Sequence, residues 1–349
     1  MAKYSLLKAF HYPHKLNSLA PNSPITGPLH VRLKPTNVCC HRCAYCCYRN
    51  PDLQLGQNMN VRDSLPEAKM LEICNDLADM GVKAVTFSGG GEPFVYPHLL
   101  TAARSLASHG IKFASLTNGA RLEGETAVFF SQFASWVRIS IDGWDAASYA
   151  AYRNVGPDEF ARVMQNILTF QAMAGECALS VCINVDATNA PHVYQLLKTL
   201  ATTGIKSVKV APIVQSNNGT ANYQYHKPLV KTVRRQVALA CADFPHLEIS
   251  NGYKVDFQSY AKSYTWCPAL QVRPVIAADC NVYSCQDRSY TDGGLLFSIK
   301  GQSFKEGWMA NRAQFYKINP SRDCDHHCAM DGVNKTILEY LDVEDREFV

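Results

Sequence analysis

The chain has 349 residues, of which 47% are hydrophobic, and a formal net charge of +4. This length is enough for one large domain, or for one domain and a smaller module. The sequence has no run of about 18 apolar residues that would predict a membrane span, and its first residues lack the pattern of a secretion signal. We therefore expect a cytoplasmic protein that does not contact a membrane. The mild charge predicts no nucleic-acid partner.

Strand and helix patterns alternate from about residue 30. A short β-like run, LHVRLK, ends at Pro35 and leads into a cysteine-rich loop. The next segment predicts a helix, with Ser64 and Glu67 at capping-box spacing and Gly81 just after the helix C-terminus. Strands with helices between them follow at VKAVTFS, IKFASLTNG, WVRISIDG, CALSVCINV and IKSVKVAPI. About six βα units predict a parallel sheet, as a partial barrel or an open sheet, with the chemistry at the C-terminal ends of its strands.

The alternation stops near Asn217, and a helix is predicted from about Leu229 to Asp243. From about Trp266, short segments and clustered cysteines predict a small metal-organised module with too few apolar residues for a core of its own. The predicted organisation is an N-terminal segment (1–29), an α/β unit (30–215), a connecting helical segment (216–264) and a C-terminal module (265–349).

Fourteen cysteines are many for a reducing compartment, where clustered cysteines are more often metal ligands than disulfide partners. Five of them lie in the stretch NVCCHRCAYCCYRN. Spacing alone allows the ligand sets C-x3-C-x2-C, C-x2-C-x2-C and C-x3-C-x3-C. A zinc site is an alternative interpretation, with His41 as the fourth ligand beside three cysteines.

The segment KPTNVCCHRCAYC resembles the signature of radical S-adenosylmethionine (SAM) enzymes, which is C-x3-C-x-aromatic-C after the first strand. Thr36–Asn37 and Tyr45 fit only the register of Cys39, Cys43 and Cys46. The resemblance implies that these three thiolates hold a [4Fe–4S] cluster. The amino and carboxylate groups of SAM would then bind its fourth iron, and Tyr45 would lie beside this cofactor.

The resemblance covers about residues 30–215 and implies a partial (β/α)6 TIM-like barrel. Two features depart from the family pattern: Cys40 stands where the family frequently has Asn, and Cys47 directly follows the motif. Either thiol is a spare group or a competitor for the place of the third ligand.

The same resemblance implies SAM-pocket residues at the ends of later strands. Gly90, Gly91 and Glu92 in VTFSGGGEP match the family turn that binds the SAM amino group. The other predicted pocket residues are Asn118 in SLTNG, Ser140 and Asp142 in VRISIDG, Arg153 in YAAYRN and Asn184 in INVDATN. Arg153 would meet the SAM carboxylate and is also the candidate catalytic residue. Ordinary polar strand ends or an ion pair are the alternative for Ser140 and Arg153.

The segment WCPALQVRPVIAADCNVYSCQD resembles the start of the SPASM extension of this family, or of its shorter twitch version. Four cysteines, Cys267, Cys285, Cys324 and Cys328, would hold one auxiliary [4Fe–4S] cluster. Cys280 replaces a usual glycine. Alternatives are Cys280 or His326 as a ligand, or zinc in place of the cluster.

These resemblances imply an enzyme that cleaves SAM reductively to a 5′-deoxyadenosyl radical, removes hydrogen from a substrate and receives electrons from a flavodoxin or ferredoxin. A small biosynthetic substrate, such as a sugar or amino sugar, is favoured, with oxidation assisted by the auxiliary cluster. The alternative is a peptide-modifying maturase that crosslinks or epimerises its substrate. Only 38 residues precede Cys39, which we expect to be too few for a leader-recognition domain. A non-catalytic zinc or iron–sulfur protein is a third possibility.

Overall fold

The structure, a computed structural model, describes residues 5–254, 260–326 and 328–345. Its strands are β1 (His30–Leu33), β2 (Ala84–Phe87), β3 (Lys112–Thr117), β4 (Trp136–Ser140), β5 (Ala178–Val185), β6 (Ser207–Pro212), β7 (Glu248–Asn251), β8 (Val275–Ile276), β9 (Asn281–Tyr283) and β10 (Leu295–Ser298). They form one sheet in the order β10-β9-β8-β1-β2-β3-β4-β5-β6-β7.

Strands β1 to β7 pair in parallel with their neighbours, and β8 adds to the free side of β1, also in parallel. Strands β9 and β10 continue this side as an antiparallel pair. Because β7 and β10 are the two ends of the strand order, the sheet stays open. The predicted α/β fold with a parallel sheet is confirmed. Strand β7 was not predicted, since its four residues, EISN, show no apolar strand pattern.

The helices connect these strands and cover the sheet. They are α1 (Pro13–Asn17), α2 (Gln54–Gln57), α3 (Glu67–Asp79), α4 (Leu99–Ser108), α5 (Gly124–Phe133), α6 (Ala146–Arg153), α7 (Glu159–Ala172), α8 (Val193–Ala201), α9 (Gly219–His226), α10 (Val230–Asp243), α11 (Ala269–Val272), α12 (Phe304–Ala310), α13 (Pro320–Asp323) and α14 (Asp331–Asp342).

At helix α3, one of the two predictions from local sequence agrees with the structure and the other does not. Gly81 follows the helix with φ of +71°, as its predicted position requires. The predicted capping box is wrong, because α3 begins at Glu67 with Pro66 as N-cap and has no side-chain cap. Ser64 Oγ lies instead 2.5 Å from Thr36 Oγ1 and so ties the entrance of the helix to the loop after β1.

One hydrophobic core extends from the α/β unit into the C-terminal residues. Val31 and Leu33 of β1 belong to the same buried cluster as Ile276 and Trp308. The C-terminal residues therefore contribute to a core that they share with the α/β unit. The predicted segment boundaries remain a prediction.

The N-terminal segment packs against the end of the chain. Leu16 and Leu19 share a small buried cluster with Val272 and with Ile337 of α14. Among the described residues, no helix is long and apolar enough to cross a membrane.

Candidate functional site

A cavity of about 330 Å³ lies at the C-terminal ends of the parallel strands, and we call it the first cavity. It brings together most of the residues predicted from the sequence. The predicted residues on its wall are Cys39, Cys43, Tyr45, Cys46, Gly90, Gly91, Glu92, Asn118, Ser140, Arg153 and Asn184. Asp142 is the exception, because it lies behind the wall and is only 1% exposed.

The glycine turn after β2 lies directly against the loop that begins the cysteine motif. The backbone N–H of Gly91 donates to the Thr36 carbonyl (3.1 Å), and that of Glu92 donates to the Val38 carbonyl (2.9 Å). A Cβ on Gly91 would lie 2.1 Å from the Val38 carbonyl oxygen, and one on Gly90 would lie 2.4 Å from Asn37 Oδ1. Only glycine permits this close approach of two backbones.

Glu92 connects the glycine turn to the end of β3. Its buried carboxylate accepts hydrogen bonds from the Thr117 hydroxyl (2.7 Å) and from the backbone N–H groups of Asn118 (2.6 Å) and Phe94 (3.0 Å). Burial raises the pKa of Glu92 to about 7, although these hydrogen bonds favour the charged form. The side chain thus fixes two neighbouring strand ends, while its predicted contact with SAM remains a prediction.

Asn118 and Ser88 supply further polar groups on the same wall. Asn118 Nδ2 lies 3.3 Å from Cys40 Sγ and 3.9 Å from Cys39 Sγ. The Ser88 hydroxyl is buried and has no hydrogen-bond partner among the described residues. Sequence reasoning missed Ser88, although its place at the start of the glycine turn was a usable signal.

Arg153 is held behind the cysteine loop by several partners. Its guanidinium donates to the Asp142 carboxylate (2.5 Å) and the Ser140 carbonyl (2.7 Å), and Nη1 lies 3.4 Å from Cys43 Sγ. Tyr45 donates a short hydrogen bond to the same Asp142 carboxylate. The ion-pair alternative from the sequence is therefore present, although buried. The predicted contact of Arg153 with the SAM carboxylate stays a prediction. The described contacts place its charge beside Cys43, a predicted cluster ligand.

The spacing of the candidate ligand atoms argues against the zinc interpretation. His41 Nε2 lies 3.1 Å from Glu159 Oε1 of α7, and its buried Nδ1 has no hydrogen-bond partner among the described residues. No set of three ligand atoms that includes His41 lies within 4.8 Å in these parts of the chain. No three cysteine thiols among the described residues lie mutually within 4.8 Å. One zinc ion would hold its thiolates about 3.8 Å apart, given Zn–S bonds of about 2.3 Å. Cys39, Cys43 and Cys46 are spaced more widely than one zinc ion requires, which fits a multi-iron cluster. The glycine turn and the unpartnered Ser88 hydroxyl fit a polar ligand beside that cluster.

The two remaining cysteines of the loop differ in surroundings. Cys40 is exposed and does not line the first cavity. Cys47 lines it, and burial raises the pKa of the Cys47 thiol to about 12. Neither finding shows a function for these thiols.

A second cavity lies beneath β1 and β8, and all four cysteines predicted for the auxiliary cluster line it. These are Cys267, Cys285, Cys324 and Cys328. Asn334 Nδ2 lies 3.4 Å from Cys267 Sγ, and the Met330 backbone N–H lies 3.4 Å from Cys328 Sγ. Such donors stabilise thiolates. The cations that line this cavity are Arg32, Lys262, Arg273 and Arg288, and no carboxylate lines it in the described parts of the chain. A cationic wall fits a cluster whose thiolate ligands bring negative charge.

The structure distinguishes between Cys280 and His326, the two alternative ligands predicted for the second cavity. Cys280 is absent from its wall and has φ of +59°, which explains why the family pattern has glycine there. His326 does line the cavity, and its ligand atoms lie within 4.8 Å of those of Asp287 and Cys328. His326 therefore stays an alternative ligand.

A chamber of about 90 Å³ lies between the two cavities. It shares Cys47 and Ile213 with the first cavity and His326 with the second. Leu53, Leu55 and other apolar residues make up much of its wall, and its polar members include Gln54, Asn222 and Asp287. No local sequence pattern predicts this chamber, because its wall comes from segments that are distant along the chain.

Comparison with known proteins supports the inference from the site. Residues 33–207 match the family model described as Radical SAM superfamily. The chain belongs to the radical SAM superfamily. Membership implies a [4Fe–4S] cluster and SAM as cofactors, and the first cavity is the place in this radical SAM protein whose residues fit them.

Relatives and neighbours of this radical SAM protein are more distant. It is 29% identical over 142 residues to a GTP 3′,8-cyclase of Psychromonas ingrahamii and 29% identical over 144 residues to one of Vibrio atlanticus. These matches cover 40% of this chain and 39% or 40% of the relatives, so the chain spans about two fifths of the curated proteins that it matches.

Solved structures match over a larger share of the chain. SuiB of Streptococcus suis bound to S-adenosylmethionine has a TM-score of 0.60 and 16% identity, and the match covers 83% of this chain and 67% of SuiB. The protein anSMEcpe with bound AdoMet has a TM-score of 0.60 and 17% identity, with 90% and 97% covered. At these identities the likeness shows the fold alone.

Proposed function

We propose that this radical SAM protein uses SAM to oxidise a small biosynthetic molecule, such as a sugar or amino sugar, and that a second iron–sulfur cluster accepts the electron. Cys39, Cys43 and Cys46 would hold the SAM-binding cluster. Cys267, Cys285, Cys324 and Cys328 would hold the auxiliary cluster, as in twitch-type members of the family.

The observation that carries the proposal is that the chamber lies between the first cavity and the second cavity. The chamber contacts the cysteine-loop cavity through Cys47 and Ile213 and the four-cysteine cavity through His326. A molecule in it would lie beside SAM on one side and beside an electron acceptor on the other. When bound, SAM and its cluster supply a 5′-deoxyadenosyl radical that removes a hydrogen atom from carbon.

The residues of the chain have positioning roles in this proposal. Glu92 and the glycine turn hold the SAM side of the first cavity, since their contacts fix the ends of β2 and β3 relative to the cysteine loop. Arg153 and Asp142 stabilise the loop from behind. Apolar residues such as Leu53 and Leu55 limit water in the chamber, which protects a radical from side reactions.

We favour a small molecule over a peptide, because the chamber of about 90 Å³ and the adjoining first cavity of about 330 Å³ together have the size of a small-molecule site. The names of the curated relatives add nucleotides to the small-molecule candidates. A flavodoxin or ferredoxin is the proposed source of electrons.

Anaerobic reconstitution with SAM and a reductant tests this proposal. We expect about eight irons per chain and formation of 5′-deoxyadenosine. Replacement of Cys39, Cys43 and Cys46 by alanine together should halve the iron and abolish 5′-deoxyadenosine. Persistent 5′-deoxyadenosine in that variant, or zinc without SAM cleavage in the wild type, would contradict the proposal. Adding candidate metabolites and peptides then separates the two substrate classes.

A further inference from the structure

Two residues, Arg32 and Gln286, line both the first and the second cavity. Arg32 is on β1, where it alternates with the core residues Val31 and Leu33, so its side chain points to the opposite face of the sheet. Gln286 directly follows Cys285. The partition between the two cysteine-lined cavities is therefore polar, although it lies deep in the molecule.

Both of these side chains have hydrogen-bonding capacity that the protein does not use. Arg32 Nε and Gln286 Oε1 are buried and have no hydrogen-bond partner among the described residues. Arg32 also forms no ion pair within 4 Å in the part of the chain that the structure describes. Buried polar groups nearly always have partners, and a buried charge without one is costly.

The surrounding charges make the missing partner of Arg32 an anion. Burial lowers the pKa of Arg32, and Arg138 of β4 acts in the same direction as a like charge. Asp287 is an acidic neighbour that acts in the opposite direction, but it does not pair with Arg32. A guanidinium group presents a planar fork that matches a carboxylate or a phosphate.

Arg32 differs in position from the other cations of the second cavity, although the proposed ligand Cys285 also acts on it electrostatically. Lys262, Arg273 and Arg288 also line the second cavity, and they supply positive charge to that cavity alone. Of the cations on its wall within the described residues, Arg32 is the one that also faces the first cavity. A ligand between the two cavities would lie beside its buried, unpartnered Nε.

We infer that the substrate carries an anionic group, a carboxylate or a phosphate, which Arg32 binds beside Gln286 in the partition between the two cavities. This inference deepens the proposed function and rests on it for the identity of the ligand as a substrate. Neither Arg32 nor Gln286 lines the chamber, whose wall includes Asp287, so the substrate would extend from the chamber to the partition. The anion anchors one end of the substrate at the guanidinium group of Arg32. Gln286 Oε1 is an acceptor, so it takes a hydrogen bond from a hydroxyl or amino group of the substrate beside the anion. A neutral sugar would leave Arg32 without a partner, so such substrates are selected against.

Calorimetric titration of the reconstituted holoenzyme, saturated with SAM, tests the inference. The probes are inorganic phosphate and acetate, at ionic strength held constant with sodium chloride. Matched metabolite pairs follow: glucosamine 6-phosphate with glucosamine, galacturonate with galactose, and GTP with guanosine. We expect saturable binding of at least one of the two simple anions and preference for the charged member of a pair. The carboxylate and phosphate arms identify which anion the site takes.

Two variants of Arg32 and one control sharpen the test. Arg32→Gln should weaken anion binding roughly 30-fold or more, as expected when one partner of a buried charge pair is removed. Arg32→Lys should retain part of the affinity. Arg104→Gln, at an exposed arginine of α4 that pairs with Glu125, should bind anions like the wild type. Iron content and SAM affinity are measured for every variant.

Three outcomes would overturn the inference. The first is the absence of saturable anion binding by the wild type, which does not depend on the folding of any variant. The second is unchanged anion binding in Arg32→Gln. The third is a variant that loses SAM affinity or auxiliary iron while anion binding persists, which would assign Arg32 to SAM or to the cluster. Failure of the proposed function would give a different result. The protein would then bind the anion but would not cleave SAM.

Discussion

The two cysteine-lined cavities differ in how the chain builds them. The thiols of the first come from one loop of nine residues, Cys39 to Cys47, and the opposite wall is formed by polar strand ends and a glycine turn. The thiols of the second come from separate segments and are surrounded by cations. One site thus keeps a side open for a polar ligand, whereas the other encloses its contents. Openness is the feature that separates reactive metal sites from structural or electron-transfer sites.

Single cysteine replacements give the largest expected effects and could break this comparison. Cys43→Ala should remove about four of eight irons and reduce SAM cleavage to background, because the open site loses a ligand. Cys324→Ala should also remove about four irons but leave SAM cleavage measurable, since it lies in the other cavity. Iron analysis and 5′-deoxyadenosine assays check both. Equal loss of SAM cleavage in the two variants would show that the cavities do not act separately.

The glycine turn tests the open side of the first cavity. Gly91→Ala would place a Cβ 2.1 Å from the Val38 carbonyl oxygen, where both groups are backbone-bound and cannot easily move. We expect a loss of about 1–3 kcal/mol of stability and clearly weaker SAM binding. The matched control is Gly156→Ala, because a Cβ there meets nothing within 4 Å. A Gly91→Ala protein as stable as this control would contradict the described packing.

The charge of Glu92 gives an effect on stability that depends on pH. Its pKa in the folded state is about 7, above the ordinary value of 4.5, so the native protein holds a proton there that the unfolded chain has lost. Stability from this residue is therefore present below about pH 4.5 and is lost as pH rises towards 7, by up to about 3 kcal/mol. Glu92→Gln should lack this dependence.

Denaturant unfolding of wild type and Glu92→Gln between pH 5 and 8 checks that prediction, because contributions common to both proteins cancel in the difference. The stability advantage of the wild type should shrink as pH rises and become constant above about pH 7. Glu176→Gln, at an exposed position outside the cavity, is the control. A difference between wild type and Glu92→Gln that does not change with pH would contradict a raised pKa.

The contrast between the cavities also explains what the sequence could predict. The alternation of strands and helices and the spacing of Cys39, Cys43 and Cys46 are local, so the parallel fold and the motif could be read directly. The glycine turn could be placed next to the motif because parallel strands end at one edge of the sheet. Predictions from local sequence were wrong where a tertiary contact determines the role of a side chain. Ser64, for example, pairs with Thr36 and does not cap α3.

The polar partition and the chamber could not be predicted in the same way. They depend on β8, which places residues after Val275 beside β1. Nothing near Arg32 in the sequence indicates that Gln286 lies beside the same cavities. A charged residue between Val31 and Leu33 in a buried strand was nevertheless a signal, since an arginine there needs a polar environment on the other face.

Cys280 gives the smallest expected effect and tests the limits of the second cavity. It has φ of +59°, a left-handed conformation that costs an ordinary residue roughly 1–2 kcal/mol. Cys280→Gly should relieve this strain and raise stability by about 0.5–1 kcal/mol, after the loss of packing by a partly buried thiol.

Iron content should not change, because Cys280 does not line the cavity. Cys280→Ala separates the two effects, since it removes the thiol but keeps the strained backbone. Loss of iron in both variants would make Cys280 a ligand, and the four-cysteine set that distinguishes the second cavity from the first would then be wrong.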